Sequence, residues 1–414
     1  MTEFIENVRT SAAEMRGLFP ATPLQLNDFL SSRYGAKIYL KCEDLSPVRS
    51  YKIRGAFNAM RKEIAARKTE LFVCASAGNH AQGVAYACQY FGVHGAIFMP
   101  VTTPQQKIEK TTVFGGDAIE IQLVGDYFDV TLSAARDYCE RMDAHFLSPF
   151  DDSDVIEGQA SVALEILEQM PDPPDLVVLP VGGGGLSSGM KRFFSNTAPQ
   201  IELSLVEPQG GASLMAALKA KKPVILGNLD TFVDGAAVAR IGERNFYILQ
   251  DVPLSSVHAV PEDRICGTIL EMLNHEGIVL EPAGALAVDL LADIADQIAG
   301  KSMVVVTSGG NFDFERLPEV KERAQRYAGL KKYFILRMPQ RPGALRDFLE
   351  MLGPHDDIAR FEYLKKSARN FGTVLIGIET RAPENFERLF ARLDEKGFSY
   401  TDVTENESVA EFIL

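Results

Sequence analysis

Leu176-Val177-Val178-Leu179-Pro180-Val181-Gly182-Gly183-Gly184-Gly185-Leu186-Ser187-Ser188-Gly189 runs from an unbroken apolar stretch through four consecutive glycines into a helical pattern. The apolar part reads as a strand buried on both faces, the form strands take in parallel sheets covered by helices. Four glycines lose much conformational entropy on folding and pack no side chain, which disfavours a purely architectural role for them. Their N–H groups, placed at the start of a helix, form the kind of concavity that receives a phosphate dianion. The segment is not a Walker loop, because Met190 stands where the lysine would be, and it contains no GxGxxG. Gly185-Leu186-Ser187-Ser188-Gly189 does match GxSxG, a serine-hydrolase elbow, which would make Ser187 a nucleophile with His258 or His275 downstream.

Further out, short β-rich runs at 37–42, 71–75, 96–99, 201–206 and 303–306 alternate with helical stretches at 51–67, 79–91, 126–142, 154–170 and 282–298. That alternation predicts α/β architecture, with parallel sheet covered by helices on both faces and ligands at the carboxyl ends of the strands. Three strands end in small-residue turns: Ser76-Ala77-Gly78-Asn79, the tetraglycine, and Ser308-Gly309-Gly310-Asn311. All three are expected to face one crevice. Near residue 330 the pattern changes to strand 331–338, helix 342–353, strands 358–366 and 373–380, helix 383–396 and strand 398–403. The order βαββαβ predicts an α+β ferredoxin-like module. The expected division is therefore 1–330 and 331–414.

The segment Ser50-Tyr51-Lys52-Ile53-Arg54-Gly55-Ala56 offers an amine. A lysine near an arginine at a helix start is usually a solvated charge. Gly55 and Ala56, however, leave room for close backbone approach, and Tyr51 can lay its ring over a flat ligand. A lysine able to form a Schiff base and a cradle for a dianion are together what pyridoxal phosphate requires. Lys52 would then anchor the cofactor and, once released, act as a base beside the substrate Cα. Ser76 and the helix start at Asn79 read either as an N-cap with a tight turn or as a site for a substrate carboxylate, with the Asn79 amide donating to the cofactor phenolate. His80 reads as positional. Ser308, if it is more than a strand-end turn, offers a neutral hydroxyl to the pyridine nitrogen, which favours prompt loss of a β-leaving group over a long-lived carbanion.

With 24% charged and 46% hydrophobic residues the composition is that of a soluble globular protein. A formal charge of −14 argues against binding to nucleic acid or to an anionic membrane. The acidic N-terminal segment lacks a basic region followed by an apolar one, no apolar run reaches membrane-spanning length, and the five cysteines form no CxxC pair. A reducing cytoplasm is the expected location.

Taken together these segments resemble the fold-type II pyridoxal phosphate enzymes, and most closely the biosynthetic threonine dehydratases. The similarity extends from Thr22-Pro23-Leu24 through Lys41-Cys42-Glu43-Asp44-Leu45, the lysine motif, 75–80, the tetraglycine and Glu281-Pro282-Ala283-Gly284-Ala285 to 308–311. The resemblance implies a two-lobed, tryptophan-synthase-β-like fold, with a small lobe at about 50–150 inserted in a large lobe. It implies that Lys52 is the Schiff-base lysine with Tyr51 beside it, and that Asn79 meets the cofactor oxygen. It further implies that Gly182, Gly183, Gly184, Gly185 and Leu186 hold the phosphate, Ser308 meets the ring nitrogen, and Ser76 binds the substrate carboxylate.

Ala77 stands where serine racemases carry a second serine, and Ser213 where they carry a metal-ligating carboxylate, although Glu207 is kept. Racemisation and a divalent metal are therefore not expected, and a monovalent cation stays open. The C-terminal module resembles a single ACT-like regulatory domain, which in the family takes isoleucine as inhibitor and often valine as its antagonist. Arg341 to Leu345 resembles the turn that begins its first helix, and Arg360-Phe361-Glu362-Tyr363 the effector-site strand. Phe361 and Tyr363 are thus candidate effector contacts, with ordinary sheet packing as the alternative. The implied activity is conversion of L-threonine to 2-oxobutanoate and ammonia, the first committed step of isoleucine biosynthesis, by a homo-oligomer, dimer or tetramer. Dehydration of L-serine is the alternative within the family.

Overall fold

The computed structural model describes residues 2–364 and 370–406. Two compact units are present, Met1–Asp313 and Phe314–Leu414. The first contains a six-stranded sheet with spatial order Leu24–Leu26, Lys37–Cys42, Ser302–Thr307, Leu176–Pro180, Glu202–Pro208 and Val257–Val260, parallel throughout except for the first pair. Its central strands are covered on both faces, which is why Leu176–Pro180 and Ser302–Thr307 show apolar runs without alternation. A smaller, fully parallel sheet has the order Ile119–Leu123, His94–Met99, Leu71–Ala75 and His145–Phe146.

Glycines let three helices of this unit cross at backbone distance. A Cβ on Gly55 of Lys52–Arg67 would lie 2.4 Å from Gln159 Nε2, and one on Gly158 of Ser153–Gln159 would lie 2.4 Å from Arg54 O. On Gly189 of Gly185–Thr197 it would lie 2.5 Å from Ile156 O and 2.9 Å from Ala160 N. Pressure from that third helix falls where the helix expected at 154–170 divides into Ser153–Gln159 and Ser161–Gln169. The stretch expected as one helix at 282–298 is likewise split, into Pro282–Asp289 and Ala295–Ile298 with a 3₁₀ turn between.

Arg54, two residues after Lys52 on the same helix, is wholly buried. Its guanidinium donates to Glu43 at 2.7 and 2.8 Å and to Glu165 at 2.8 and 2.9 Å, while Lys41 Nζ meets Glu165 Oε2 at 2.6 Å. These four side chains have no exposed surface. Arg16, partly exposed, adds a third cation by donating to Glu165 Oε1 at 2.7 Å, and these mutual hydrogen bonds make the burial of the charges tolerable.

The second unit is an antiparallel sheet in the order Asp357–Leu364, Phe371–Glu379, Lys331–Pro339 and Ser399–Asp402, with helices Ala344–Leu349 and Glu384–Glu395. Phe334, Leu336, Phe348, Ile376, Leu389 and Leu393 lie in its core. The chain order is the expected βαββαβ; residues 365 and 366 of the strand expected at 358–366 lie outside the described residues. This unit begins at Phe314 rather than at 331 because the helix Leu317–Tyr327 belongs to it. Lys331 Nζ binds both Glu322 at 2.5 Å and Glu379 at 2.9 Å, and Arg326 Nη2 donates to Thr404 O at 2.6 Å. Among the described residues no helix is long and apolar enough to cross a membrane.

Candidate active site

Lys52 opens its helix immediately after a turn stitched to the end of the central strand. Ser50 bridges Gly309, and Tyr51 N donates to Ser308 O at 3.2 Å. Lys52 Nζ donates to Pro149 O at 2.9 Å and lies 5.4 Å from the Tyr51 ring centre and 5.9 Å from that of Phe150. Burial lowers its pKa to about 8 against the opposing pull of Glu281, so the free amine is accessible near neutral pH.

The Ser76 and Ser308 turns are joined through asparagine side chains. Asn79 Oδ1 accepts from Asn311 Nδ2 at 2.6 Å, and Asn311 Oδ1 accepts from Lys110 Nζ at 2.9 Å. Asn79 Nδ2 donates to Glu281 Oε1 at 2.6 Å. Ser76 Oγ accepts from Gly78 N at 3.2 Å, so the tight turn is real. No side chain caps the helix Asn79–Phe91, which leaves its first N–H groups for an anion. His80 is buried with Nε2 3.0 Å from Leu147 O; burial and then Lys52 push its pKa down to about 3, and it stays neutral.

In the tetraglycine, the N–H groups of Gly182, Gly183 and Gly184 meet no protein acceptor among the described residues. Side chains would be excluded there. A Cβ on Gly182 would lie 3.0 Å from Ala236 Cα, one on Gly183 would lie 2.2 Å from the Phe150 ring, and Gly184 has φ +93. Leu186 is buried in the core beneath. Ser308 Oγ is buried and donates to Ala283 O at 3.2 Å.

Ser187 has no such freedom: it is wholly buried, and its Oγ donates to Gly184 O at 3.1 Å in the first helical turn. An elbow nucleophile must present its oxygen to the crevice, so the hydrolase reading fails at this residue. Glu207 caps a helix instead of facing a cation, accepting from Leu214 N at 2.7 Å and Met215 N at 2.9 Å, while burial pushes its pKa up to about 7. Among the described residues no cluster of three or more His, Cys, Asp or Glu is placed to hold a metal ion.

An amine, unpaired backbone donors, an amide and a neutral hydroxyl are thus linked by short contacts: Tyr51 N meets Ser308 O, Phe150 lies beside both Lys52 and Gly183, and Asn79 meets Asn311 and Glu281. That donor set fits a phosphorylated aldehyde cofactor. Residues 16–309 match the family described as pyridoxal-phosphate dependent enzyme, and residues 322–413 match the C-terminal regulatory domain of threonine dehydratase. The chain is 47% identical over 395 residues to L-threonine dehydratase biosynthetic IlvA of Bacillus subtilis (strain 168), covering 95% of this chain and 93% of that protein. The chain belongs to the pyridoxal-phosphate dependent biosynthetic threonine dehydratases. Among solved structures, the processed form of threonine deaminase isoform 2 from Solanum lycopersicum superposes with a TM-score of 0.73 at 36% identity, over 78% of this chain and 88% of that one. A threonine deaminase from T.th. gives 0.69 at 30% identity, over 75% of this chain and 98% of that one.

Glu281, Phe150 and Asn245 have places at this site that the sequence motifs did not assign. Glu281 carried the clearest signal, an acidic residue closing an apolar run just before a helix-initiating proline. Burial, with Asp234 adding to it, pushes its pKa up to about 7 against the Asn79 hydrogen bond and Lys107 and Lys110. The folded state therefore binds more protons than the unfolded one between pH 4.5 and about 7, and stability falls as pH rises through that window. Glu281→Gln in the cofactor-free chain is expected to match the parent near pH 4.5 and to exceed it at pH 8, by up to about 3 kcal/mol. Denaturant unfolding at the two pH values measures this, and parallel pH profiles would contradict it.

In the second unit, Phe361 packs against the core. Tyr363 is exposed, its ring over Gly372, where a Cβ would lie 2.4 Å from Tyr363 Cε2.

Proposed function

We propose that this chain dehydrates L-threonine to 2-oxobutanoate and ammonia, supplying the isoleucine pathway, and that isoleucine inhibits it with valine as antagonist. The observation that supports the reading is the linkage of Lys52 to the Ser308 turn through Tyr51 and to the glycine loop through Phe150. Pyridoxal phosphate, when bound, supplies an electron sink conjugated to the substrate Cα. Lys52 would hold the cofactor, and its depressed pKa suits its amine, when free, to take the Cα proton. In the net reaction the Cα proton and the Cβ hydroxyl leave as one water as the bonds from Cα to hydrogen and from Cβ to oxygen break, and the resulting enamine takes up one water to give the keto acid and ammonia.

Gly182 to Leu186 would hold the phosphate through backbone N–H groups, and Tyr51 and Asn79 would stand beside the ring and its phenolate. Ser76 and the uncapped helix start bind the substrate carboxylate. Ser308 offers a hydroxyl instead of a carboxylate, so negative charge on Cα is poorly stabilised and β-elimination is favoured. Ala77 offers no acid to the opposite face. Phe361 and Tyr363 contact the effector, the active form is a homo-oligomer, and a cytoplasmic location agrees with five free, buried cysteines.

Keto-acid release from threonine and serine, with and without isoleucine, tests the reading. Threonine is expected to be the better substrate with serine as a measurable side activity, because one methyl group discriminates by only about 1 to 3 kcal/mol. Isoleucine is expected to inhibit through a coupling of about 1 to 3 kcal/mol. Preference for serine would move the assignment to serine dehydratase, and indifference to isoleucine would refute the effector.

A further inference from the structure

Asn245 belongs to none of the motifs that point to the cradle, yet it is wholly buried against it on the helix Glu243–Leu249. Its Nδ2 donates to Gly183 O at 2.8 Å and to Phe150 O at 3.1 Å. The amide orientation follows from chemistry, since the flipped form would set Oδ1 against two carbonyl oxygens. Gly183 O also accepts from Gly242 N at 3.2 Å. In a trans peptide the carbonyl and the next N–H point in opposite directions. Drawing the Gly183 carbonyl toward Asn245 therefore turns the Gly184 N–H away, toward the open side of the loop. The next peptide is held in the same manner, because Gly184 O accepts from Ser187 Oγ at 3.1 Å and Ser188 N at 2.9 Å.

The support behind Asn245 is continuous with the lysine. Asp151 accepts from Glu243 N and Arg244 N, both at 3.0 Å, and so fixes the helix that carries Asn245. Phe150 beside it accepts the second Asn245 bond, and Pro149 accepts from Lys52 Nζ. Asn245 Oδ1 is buried with no partner. An unmet acceptor costs stability that a hydrocarbon side chain would avoid, so the Nδ2 donor is what the position retains.

We propose that Asn245 is the positioning residue of the phosphate cradle: its amide fixes the Gly183 carbonyl and thereby aims the Gly184 N–H at the cofactor phosphate. The proposal rests on reading Gly182 to Leu186 as that cradle. Full-length chain freed of cofactor would be titrated with pyridoxal phosphate and with pyridoxal, comparing the parent with the near-isosteric Asn245→Leu and with Asn245→Ala. The parent is expected to prefer the phosphorylated form. The substitutions are expected to weaken pyridoxal phosphate by about 10-fold or more while pyridoxal changes by less than about 3-fold. Whichever variant folds carries the test.

A parallel loss for both ligands would show a merely structural role and overturn the proposal. An unchanged preference would overturn it as well. A parent chain that does not distinguish the two ligands would instead refute the cradle reading itself, so the two failures separate.

Discussion

Lys52→Ala is expected to lower keto-acid formation from threonine by at least about 10⁴-fold, because one side chain serves as both anchor and base. Among the described residues, the nearby lysines are engaged elsewhere: Lys110 Nζ is bound to Asn311 Oδ1, and Lys107 Nζ is paired with Asp234 at 2.6 Å. The glycine amides do not depend on Lys52, so the variant is expected to keep pyridoxal phosphate without covalent attachment. Borohydride reduction followed by peptide mapping should tag Lys52 in the parent and nothing in the variant. A tag on another lysine, or activity within about 10-fold of the parent, would remove Lys52 from the chemistry.

What made this site legible was the chemistry of strand ends. Small residues at 76–79, 182–185 and 308–311 leave the backbone open to a ligand, and the regular alternation of strand and helix places such turns on one edge. The central strands were equally legible because burial on both faces leaves uninterrupted apolar runs. Less visible were Leu24–Leu26, which is short and partly exposed, and Ile119–Leu123, which is half-exposed. The division at Ala160 left no local signal, since it coincides with backbone approach from Gly189 on another helix.

Glu281 and Asn245 show where motif reading ends. Their contacts with Asn79, Gly183 and Phe150 come from segments distant in sequence, so neither residue looks unusual among its own neighbours. The start of the second unit was misplaced for a related reason. The helix Leu317–Tyr327 is amphipathic and could pack on either unit by its pattern alone; Lys331, Glu322, Arg326 and Thr404 assign it. The burial of Arg54 is invisible locally, because the sequence around it shows a charge near a helix start but not Glu43 and Glu165, which meet it in the fold.

Those carboxylates define the second large effect. Burial alone would raise the Glu165 carboxyl, but the Arg54 guanidinium and the Lys41 ammonium outweigh it and hold the group well below the usual carboxylate range. Glu165→Leu would leave Arg54, Lys41 and the partly exposed Arg16 with only Glu43, so positive charge would go uncompensated where the Arg54 and Lys41 side chains have no exposure. A cost of about 3 to 5 kcal/mol is expected, a large share of the roughly 5 to 15 kcal/mol that holds a typical domain folded. Combining it with Arg54→Met removes one of the two fully buried cations, leaves Lys41 with the electrostatic pull of Glu43, and is expected to recover part of the loss. Denaturant unfolding of the two single variants and the double variant closes the cycle, and additive costs would show that the cluster does not act as a unit. Because Arg54 lies on the helix that Lys52 opens, and Glu165 on Ser161–Gln169, the single variant should also loosen the lysine. A kcat that falls beyond the loss of folded protein, and returns in the double variant, would tie this buried charge balance to the placement of the amine.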